Sequence, residues 1–318
     1  FDNYFRKGHE ANLRDLEIQA MLTTQSDEDG GFTVHEEMDT EISRELEKVS
    51  AMRGIARVRS IGSPTFKRWH NVGGTAAGWV GEEEVRNGDT DTPKLKELSF
   101  EAMELYAEPI TTQAMLDDSS LNIQQWLADE VGIAFAEQEG DKFITGNGVK
   151  QPRGLLSYTA KANGNQAFGE LGFIASGKNV GFADTNPADK LISLQHALKA
   201  GYRGNARWLM NDLTLEGVRT FKNSQGDYIW RPGLTEGAPD LLLGKPISYD
   251  DNMPVIAANS LSIAFGDFYR GYLIIDRMGV RVIRDAITRK PYVKFYTTKR
   301  VGGGLNESEA IKVLKFTA

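Results

Sequence analysis

The chain has 318 residues and a formal charge of −7, so it lacks the basic excess that is typical of nucleic-acid-binding proteins. It contains no cysteine, which excludes disulfides and thiolate metal sites. No run of about 18 apolar residues occurs, so no membrane-spanning helix is predicted, and at this length we expect two interleaved domains.

The N-terminal region is polar. Residues 1–31 are weakly patterned and end in Ser26-Asp-Glu-Asp-Gly-Gly31, which predicts an arm that cannot bury itself on its own fold. An apolar stripe then predicts a helix over residues 35–50. Short strands are predicted over 55–60 and 65–70.

Residues 71–97 form the least globular stretch of the chain. It contains four glycines before Glu82, then three successive glutamates, then the pair Asn87-Gly88. An Asn-Gly pair between extended segments indicates a hairpin turn. Because few residues here besides Trp79 and Val80 can pack, we predict a protruding β-loop that is stabilised by whatever it lies against.

The next segment predicts a strand followed by a long helix. Over residues 98–107 the apolar period of two slips by one residue, as in a strand with a bulge. Asp117, Asp118, Ser119 and Ser120 are candidate caps. Apolar residues at every fourth position then predict a helix over 121–144 that stops at Gly146 and spans the domain as a strut.

Short alternating elements beyond Gly154 predict a compact α/β lobe. The predicted helices are 187–200 and 212–222, and the predicted strands are 207–210, 246–249, 261–265 and 271–275.

A long hairpin follows this lobe. Two alternating strands, over residues 276–284 and 292–300, are joined by a short basic tip at 285–291. Such a hairpin has one face to bury and unpaired edges to satisfy. We therefore predict that the protein functions by contacting copies of itself.

The sequence offers little that indicates catalysis. Residues 172–178 approximate a phosphate-binding loop, but Asn179 replaces the Ser or Thr that holds magnesium, so either a nucleotide site using Lys178 or a surface loop is indicated. The four histidines are isolated, and Asp117-Asp118 is typical of helix capping rather than of an acid/base pair. No catalytic residue, cofactor site or metal site is predicted.

Two charge clusters remain open to two interpretations each. The run Glu82, Glu83 and Glu84 is either a solvated surface or one half of an intermolecular ion-pair set. The dense basic region contacts either nucleic acid or the acidic loop of a neighbour; it comprises Arg281, Arg284, Arg289, Lys290, Lys299 and Arg300.

Several segments, taken in order, resemble tailed-phage major capsid proteins of the Hong Kong 97 fold. They are Asp27-Glu-Asp-Gly-Gly-Phe-Thr-Val, Phe143-Ile-Thr-Gly-Asn-Gly-Val-Lys-Gln-Pro-Arg-Gly-Leu-Leu, Trp208-Leu-Met-Asn-Asp-Leu-Thr-Leu, Gly226-Asp-Tyr-Ile-Trp-Arg-Pro, Leu243-Gly-Lys-Pro-Ile, Asp251-Asn-Met-Pro, Phe265-Gly-Asp-Phe and Tyr292-Val-Lys-Phe-Tyr-Thr-Thr-Lys-Arg. Each segment alone is weak, and the ordered set covers essentially the whole chain. Gene transfer agents and encapsulin shells share this fold.

The resemblance implies an α+β fold of seven segments. They are an N-terminal arm (1–31), a first peripheral-domain segment (32–61), an extended β-hairpin called the E-loop (62–97), a second peripheral-domain segment with the long spine helix (98–150), the axial domain (151–275), the peripheral-domain hairpin (276–300) and the C-terminal axial strand (301–318).

The resemblance also implies a structural function. Such subunits form hexamers and pentamers of an icosahedral shell around double-stranded DNA, here held by confinement, with portal and decoration proteins as partners. The implied location is the virion capsid, assembled in the host cytoplasm, and proteolytic removal of a leading segment fits a chain that starts at Phe1. An encapsulin-like compartment and a phosphate-handling enzyme are the alternatives.

One departure from some relatives concerns covalent linkage. Those relatives join an E-loop lysine to an asparagine of the peripheral domain, whereas the loop tip here offers Arg86, whose guanidinium stays protonated. We therefore expect a non-covalent shell. The predicted inter-subunit contacts are Trp69, Trp79, Val80, Glu82, Glu83, Glu84, Arg86, Arg284, Arg289, Lys290, Lys299 and Arg300.

Overall fold

The computed structural model describes residues 50–74, 92–119, 122–183, 186–222, 228 and 240–317. Within these residues the strands form a five-stranded sheet, a seven-stranded sheet and a two-stranded ribbon. The helices are α1 (Met52–Ile55), α2 (Gln113–Asp118), α3 (Ile123–Thr145), α4 (Ala188–Ala197), α5 (Ala200–Arg203), α6 (Asp212–Arg219) and α7 (Phe268–Gly271). The predicted arm, almost all of the predicted helix over 35–50, and loop residues 75–91 lie outside the described residues.

The five-stranded sheet is built around the predicted hairpin. Its strands are β1 (Arg57–Ser60), β4 (Met103–Ala107), β5 (Ile110–Thr112), β12 (Tyr272–Asp285) and β13 (Tyr292–Leu305). The order is β1-β12-β13-β4, with β5 beside the start of β13, and only the β1–β12 pair is parallel. The hairpin prediction is confirmed, and the strands extend past both predicted ends.

The spine helix α3 packs on this sheet. It runs from Ile123 to Thr145, within two residues of the predicted ends, and its buried residues Phe143 and Ile144 join a core that includes Tyr272. The predicted caps are wrong: Asp117 and Asp118 belong to the preceding helix α2, and the side chain of Asn122 accepts the capping hydrogen bond from the Gln125 amide. An Asn at this position satisfies one of the free N–H groups of the first turn.

The seven-stranded sheet forms the predicted α/β lobe. Its strands are β6 (Ala160–Ala162), β7 (Leu171–Ala175), β8 (Arg207–Met210), β9 (Leu241–Leu242), β10 (Lys245–Tyr249), β11 (Leu261–Gly266) and β14 (Ile311–Lys315). Their order is β6-β7-β14-β11-β8-β10-β9, so the last strand lies in the interior of the sheet. Apolar side chains of α4 and α6 cover one face, where they pack around Trp208 and Phe265.

Three predictions of strand boundaries need correction, and the helix predicted over 187–200 is two helices, α4 and α5. The predicted strand over 98–107 is two strands, because the chain leaves the ribbon at Ala102 and enters the five-stranded sheet as β4. The strand predicted from residue 55 begins at Arg57, since helix α1 precedes it, and the strand predicted over 271–275 is the start of β12. None of the described helices is both long and apolar enough to cross a membrane.

Candidate inter-subunit surface

The two-stranded ribbon consists of β2 (Thr65–Asn71) and β3 (Leu95–Glu101), paired antiparallel. Alternation of side chains gives it two faces. Its inner face is apolar near the root, where Phe66, Leu98 and Phe100 pack with Leu273 and Ile275 of β12. The ribbon therefore lies at the two ends of the segment predicted as the E-loop, and one of its faces belongs to the body of its own chain.

The outer face of the ribbon is open. Trp69 is 65% exposed and Leu95 is 62% exposed. Beside them Lys67 forms an ion pair of 2.6 Å with Glu97, the cross-strand neighbour of Trp69. A large indole left in water next to a second apolar side chain is typical of a surface that another molecule covers.

Three successive glycines of β13 lie in close contact with their surroundings, and two of them, Gly302 and Gly304, face the root of the ribbon at Glu101 and Phe100. A Cβ atom added at Gly302 would lie 2.1 Å from the carbonyl oxygen of Glu101, so β3 crosses β13 at backbone distance. At Gly303 it would lie 2.7 Å from the hydroxyl of Tyr272, and at Gly304 it would lie 3.0 Å from that of Tyr158. Our sequence interpretation overlooked this run, although glycines inside a strand often mark such a close approach.

The hairpin tip carries several of the predicted basic contacts. Arg284 donates a hydrogen bond of 2.9 Å to the side chain of Gln113, and Arg289 lies over the ring of Tyr292 at 5.3 Å. Lys290 is exposed beside them. Hydrogen bonds from the Thr288 hydroxyl and the Ile287 and Thr288 amides to Asp285 lower the pKa of that carboxyl to about 2, so it stays ionised and orders the turn.

Two other predicted basic contacts have acidic partners within the same chain. Lys299 forms an ion pair with Glu139 of the spine helix, and Arg300 binds Glu104 at 2.7 Å. The hydrogen bond from Arg300 is the main cause of a lowered pKa at Glu104. The structure thus separates Arg284, Arg289 and Lys290, which lie in or beside the hairpin tip, from Lys299 and Arg300. Our sequence interpretation grouped all five together.

A partly buried charge cluster centred on Glu139 joins the spine helix to the hairpin. Arg53 of α1 donates to Asp276 at 2.7 and 3.1 Å and to Glu139 at 2.6 Å, and Lys299 also contacts Glu139. The Glu139 side chain is only 3% exposed. Hydrogen bonding to Asp276 is the main reason that the pKa of Arg53 is raised above its usual range, so the guanidinium is always charged.

The phosphate-loop interpretation of residues 172–178 does not fit the backbone. Residues 172–175 belong to strand β7, so the alternative of a surface loop holds only for the exposed residues 177 and 178. The amides that would cradle a phosphate donate within the chain: Ser176 to the Lys315 carbonyl, Gly177 to that of Thr317, and Lys178 to the Ser176 hydroxyl.

Comparison with solved structures reveals close likeness to shell proteins. The capsid of an empty GTA (gene transfer agent) particle is 38% identical, with a TM-score of 0.85, over 93% of this chain and 99% of that chain. The capsid of a native GTA particle is 38% identical, with a TM-score of 0.87, over 93% of this chain and 100% of that chain. The protein from Microbacterium phage Oxtober96 is 14% identical, with a TM-score of 0.67, over 92% of this chain and 99% of that one.

These structures define the class of protein: a capsid subunit with the Hong Kong 97-type fold. The model of the phage capsid family matches residues 30–316, and the chain belongs to that family. No match was found among curated protein sequences. The protein is therefore a structural component of a shell built from copies of itself, and the phosphate-handling enzyme considered from the sequence is wrong.

Proposed function

We propose that this subunit forms hexamers and pentamers of an icosahedral shell that holds double-stranded DNA by confinement. The observation that carries the proposal is the exposed outer face of the ribbon, with Trp69 and Leu95 in water on an element that packs on the chain through its other face. The 38% identity to GTA capsids favours a GTA-type particle over the 14% identity to a phage protein. The resemblance further supports assembly in the host cytoplasm, with a portal and decoration proteins.

Electron microscopy of the purified protein tests this proposal. We expect closed shells, and nuclease-protected DNA inside particles purified from the producing cell. Shells that contain protein cargo instead would support an encapsulin-like compartment, and the absence of shells at high concentration would contradict the proposal.

The proposed assignment of domains follows the two larger sheets. The spine helix and the five-stranded sheet form the peripheral domain, the seven-stranded sheet forms the axial domain, and the ribbon is the base of the E-loop. Obligate interfaces bury on the order of 2,000 Å² or more, so apolar burial dominates their strength. An exposed ion pair contributes only roughly 0–1 kcal/mol, so charge sets the register between subunits.

The acidic run is the proposed partner of the hairpin tip on a neighbouring subunit. Replacing Glu82, Glu83 and Glu84 by lysine is expected to lower shell yield, because like charges then face Arg289 and Lys290. Reversing Arg289 and Lys290 to glutamate in the same chain should restore part of the yield.

A matched control reverses Asp212 and Glu216, which are exposed acids on α6. This control changes net charge in the same direction and should leave the yield of shells near that of the unmodified protein. Equal loss in the control, or no rescue by the tip reversal, would contradict the proposed pairing.

The shell is expected to be non-covalent. Boiling assembled particles in denaturing detergent should release one band near 35.2 kDa, the mass of the chain. The reason is that Arg86 is the residue predicted from the sequence at the loop tip, and its guanidinium is not a nucleophile in proteins. A ladder of covalent oligomers on the gel would show this expectation to be wrong.

A further inference from the structure

The far end of the described ribbon rests on an aromatic side chain from another region of the fold. The ring of His70 stacks on that of Phe168, with centroids 4.7 Å apart and planes at 21°. Lys96, the cross-strand neighbour of His70, places its ammonium 5.7 Å from the centre of the same ring. Both strands of the ribbon therefore contact one residue, and we call these three residues the Phe168 clamp.

The loop that presents Phe168 is held by hydrogen bonds on both sides of the ring. The Gln166 side chain donates to Glu309 at 3.0 Å, and the Gly169 amide donates to the Ser308 hydroxyl at 3.2 Å. Within the loop, the Ala167 amide donates to Glu170 at 2.9 Å. Ser308 and Glu309 lie just beyond β13, so the clamp is anchored close to the strand whose glycines face the ribbon root.

Between its root and the clamp, the ribbon is not packed tightly against the body. A cavity of about 500 Å³ opens there, with Leu98 and Phe100 of the ribbon on one side and Phe168, Gly303 and Gly304 on the other. A hydrogen bond of 2.9 Å from Arg68 to Asn306 adds a polar contact along the same inner face. The direction of the ribbon therefore depends on a small number of contacts, of which the clamp is the outermost described.

We propose that the Phe168 clamp aims the E-loop, so that Phe168 is a positioning residue for shell assembly. This inference rests on the proposed function, because it assigns the clamp a role in bringing residues 75–91 to a neighbouring subunit. Stacked rings and a cation over a ring favour one arrangement of the contacting groups by about two- to tenfold each. A subunit whose ribbon spends less time in that arrangement assembles more weakly by the corresponding factor.

The first test is assembly of the full chain with Phe168→Ala. We expect the concentration needed to form shells to rise by about four- to fiftyfold, since the variant removes both contacts, with no comparable loss of folded subunit, because Phe168 lies outside the buried clusters. Phe168→Tyr keeps the ring and should assemble like the unmodified protein. Phe168→Leu keeps apolar bulk without an aromatic face and should behave like the alanine variant.

The control variant is Tyr269→Ala. Tyr269 is 58% exposed and has Arg57 over its ring at 5.7 Å. The alanine variant therefore loses a similar aromatic–cation contact at a site away from the ribbon. It should assemble normally. A Phe168→Ala variant that assembles at the same concentration as the unmodified protein, or a Phe168→Leu variant that matches Phe168→Tyr, would overturn the inference.

The second test uses the unassembled subunit, so its outcome does not depend on whether shells form. Amide hydrogen exchange in residues 65–71 and 95–101 should be faster by about four- to fiftyfold in Phe168→Ala, which loses both contacts, and unchanged in Tyr269→Ala. Unchanged exchange in the ribbon of Phe168→Ala overturns the clamp itself. If exchange speeds up but the unmodified chain never forms shells, the clamp stands and the proposed function fails.

Discussion

Replacing Glu139 by glutamine is expected to lower the free energy of unfolding of the free subunit by about 2 kcal/mol, since the charge-assisted contacts of Arg53 and Lys299 with this buried carboxylate are lost while Arg53 keeps Asp276. Glu139 lies on the buried face of the spine helix and is the shared partner of Arg53 and Lys299. Glutamine has the same shape but carries no charge to balance these cations. Urea unfolding followed by tryptophan fluorescence measures the change.

Glu104→Gln is the matched control for this experiment. Glu104 also pairs with an arginine of β13, but its side chain is 40% exposed and that of Arg300 is 41% exposed. Water and salt screen such a pair, so the control should shift the unfolding midpoint much less than Glu139→Gln does. Similar unfolding midpoints for the two variants would show that the Glu139 cluster contributes no more to stability than an exposed ion pair does.

Replacing Gly302 by alanine is expected to destabilise the subunit by about 2–3 kcal/mol and to reduce shell yield further, because the added methyl group overpacks a site that has no room for it. The new carbon would lie 2.1 Å from the backbone oxygen of Glu101 and 2.9 Å from the side chain of Ile275. A backbone oxygen cannot rotate away as a flexible side chain does, so β3 must lift off β13. The ribbon then leaves the body at a different angle.

Gly279→Ala tests whether crowding is the cause. Gly279 lies in β12 of the same hairpin, and a Cβ atom there would meet nothing within 4 Å. This variant should stay within about 0.5 kcal/mol of the unmodified protein, as surface substitutions usually do. Equal destabilisation by the two alanine substitutions would indicate a general effect of losing glycine in the hairpin. It would contradict the claim that close contact between Gly302 and Glu101 is the cause.

Local patterns in the sequence were sufficient to predict most of the regular elements. The strand over 207–210 and the spine helix are confirmed because apolar residues at fixed spacing must share one buried face. Predictions failed where the structure of a segment depends on which distant strand it pairs with. Near Ala102 the apolar pattern shifts by one residue. Such a shift is expected both for a bulge within one strand and for a change from one sheet to another, and only the tertiary pairing distinguishes the two.

The interior contacts could not have been predicted from one sequence. Arg53 is 223 positions from Asp276 and 86 positions from Glu139 along the chain, and each of these residues alone is typical of a solvated surface. The same holds for His70 and Phe168, which have no distinctive spacing. The inter-subunit residues of the outer loop, Trp79 to Arg86, stay predictions, since they lie outside the described residues.

The position of β14 has a consequence for synthesis. Its five residues, Ile311–Lys315, fill the gap between β7 and β11, although the chain makes them more than forty residues after β11 begins. Until they emerge from the ribosome, neither β7 nor β11 has β14 as a partner, so the seven-stranded sheet is incomplete. We therefore expect chains that terminate before β14 to lack a complete seven-stranded sheet and to be incorporated poorly into particles.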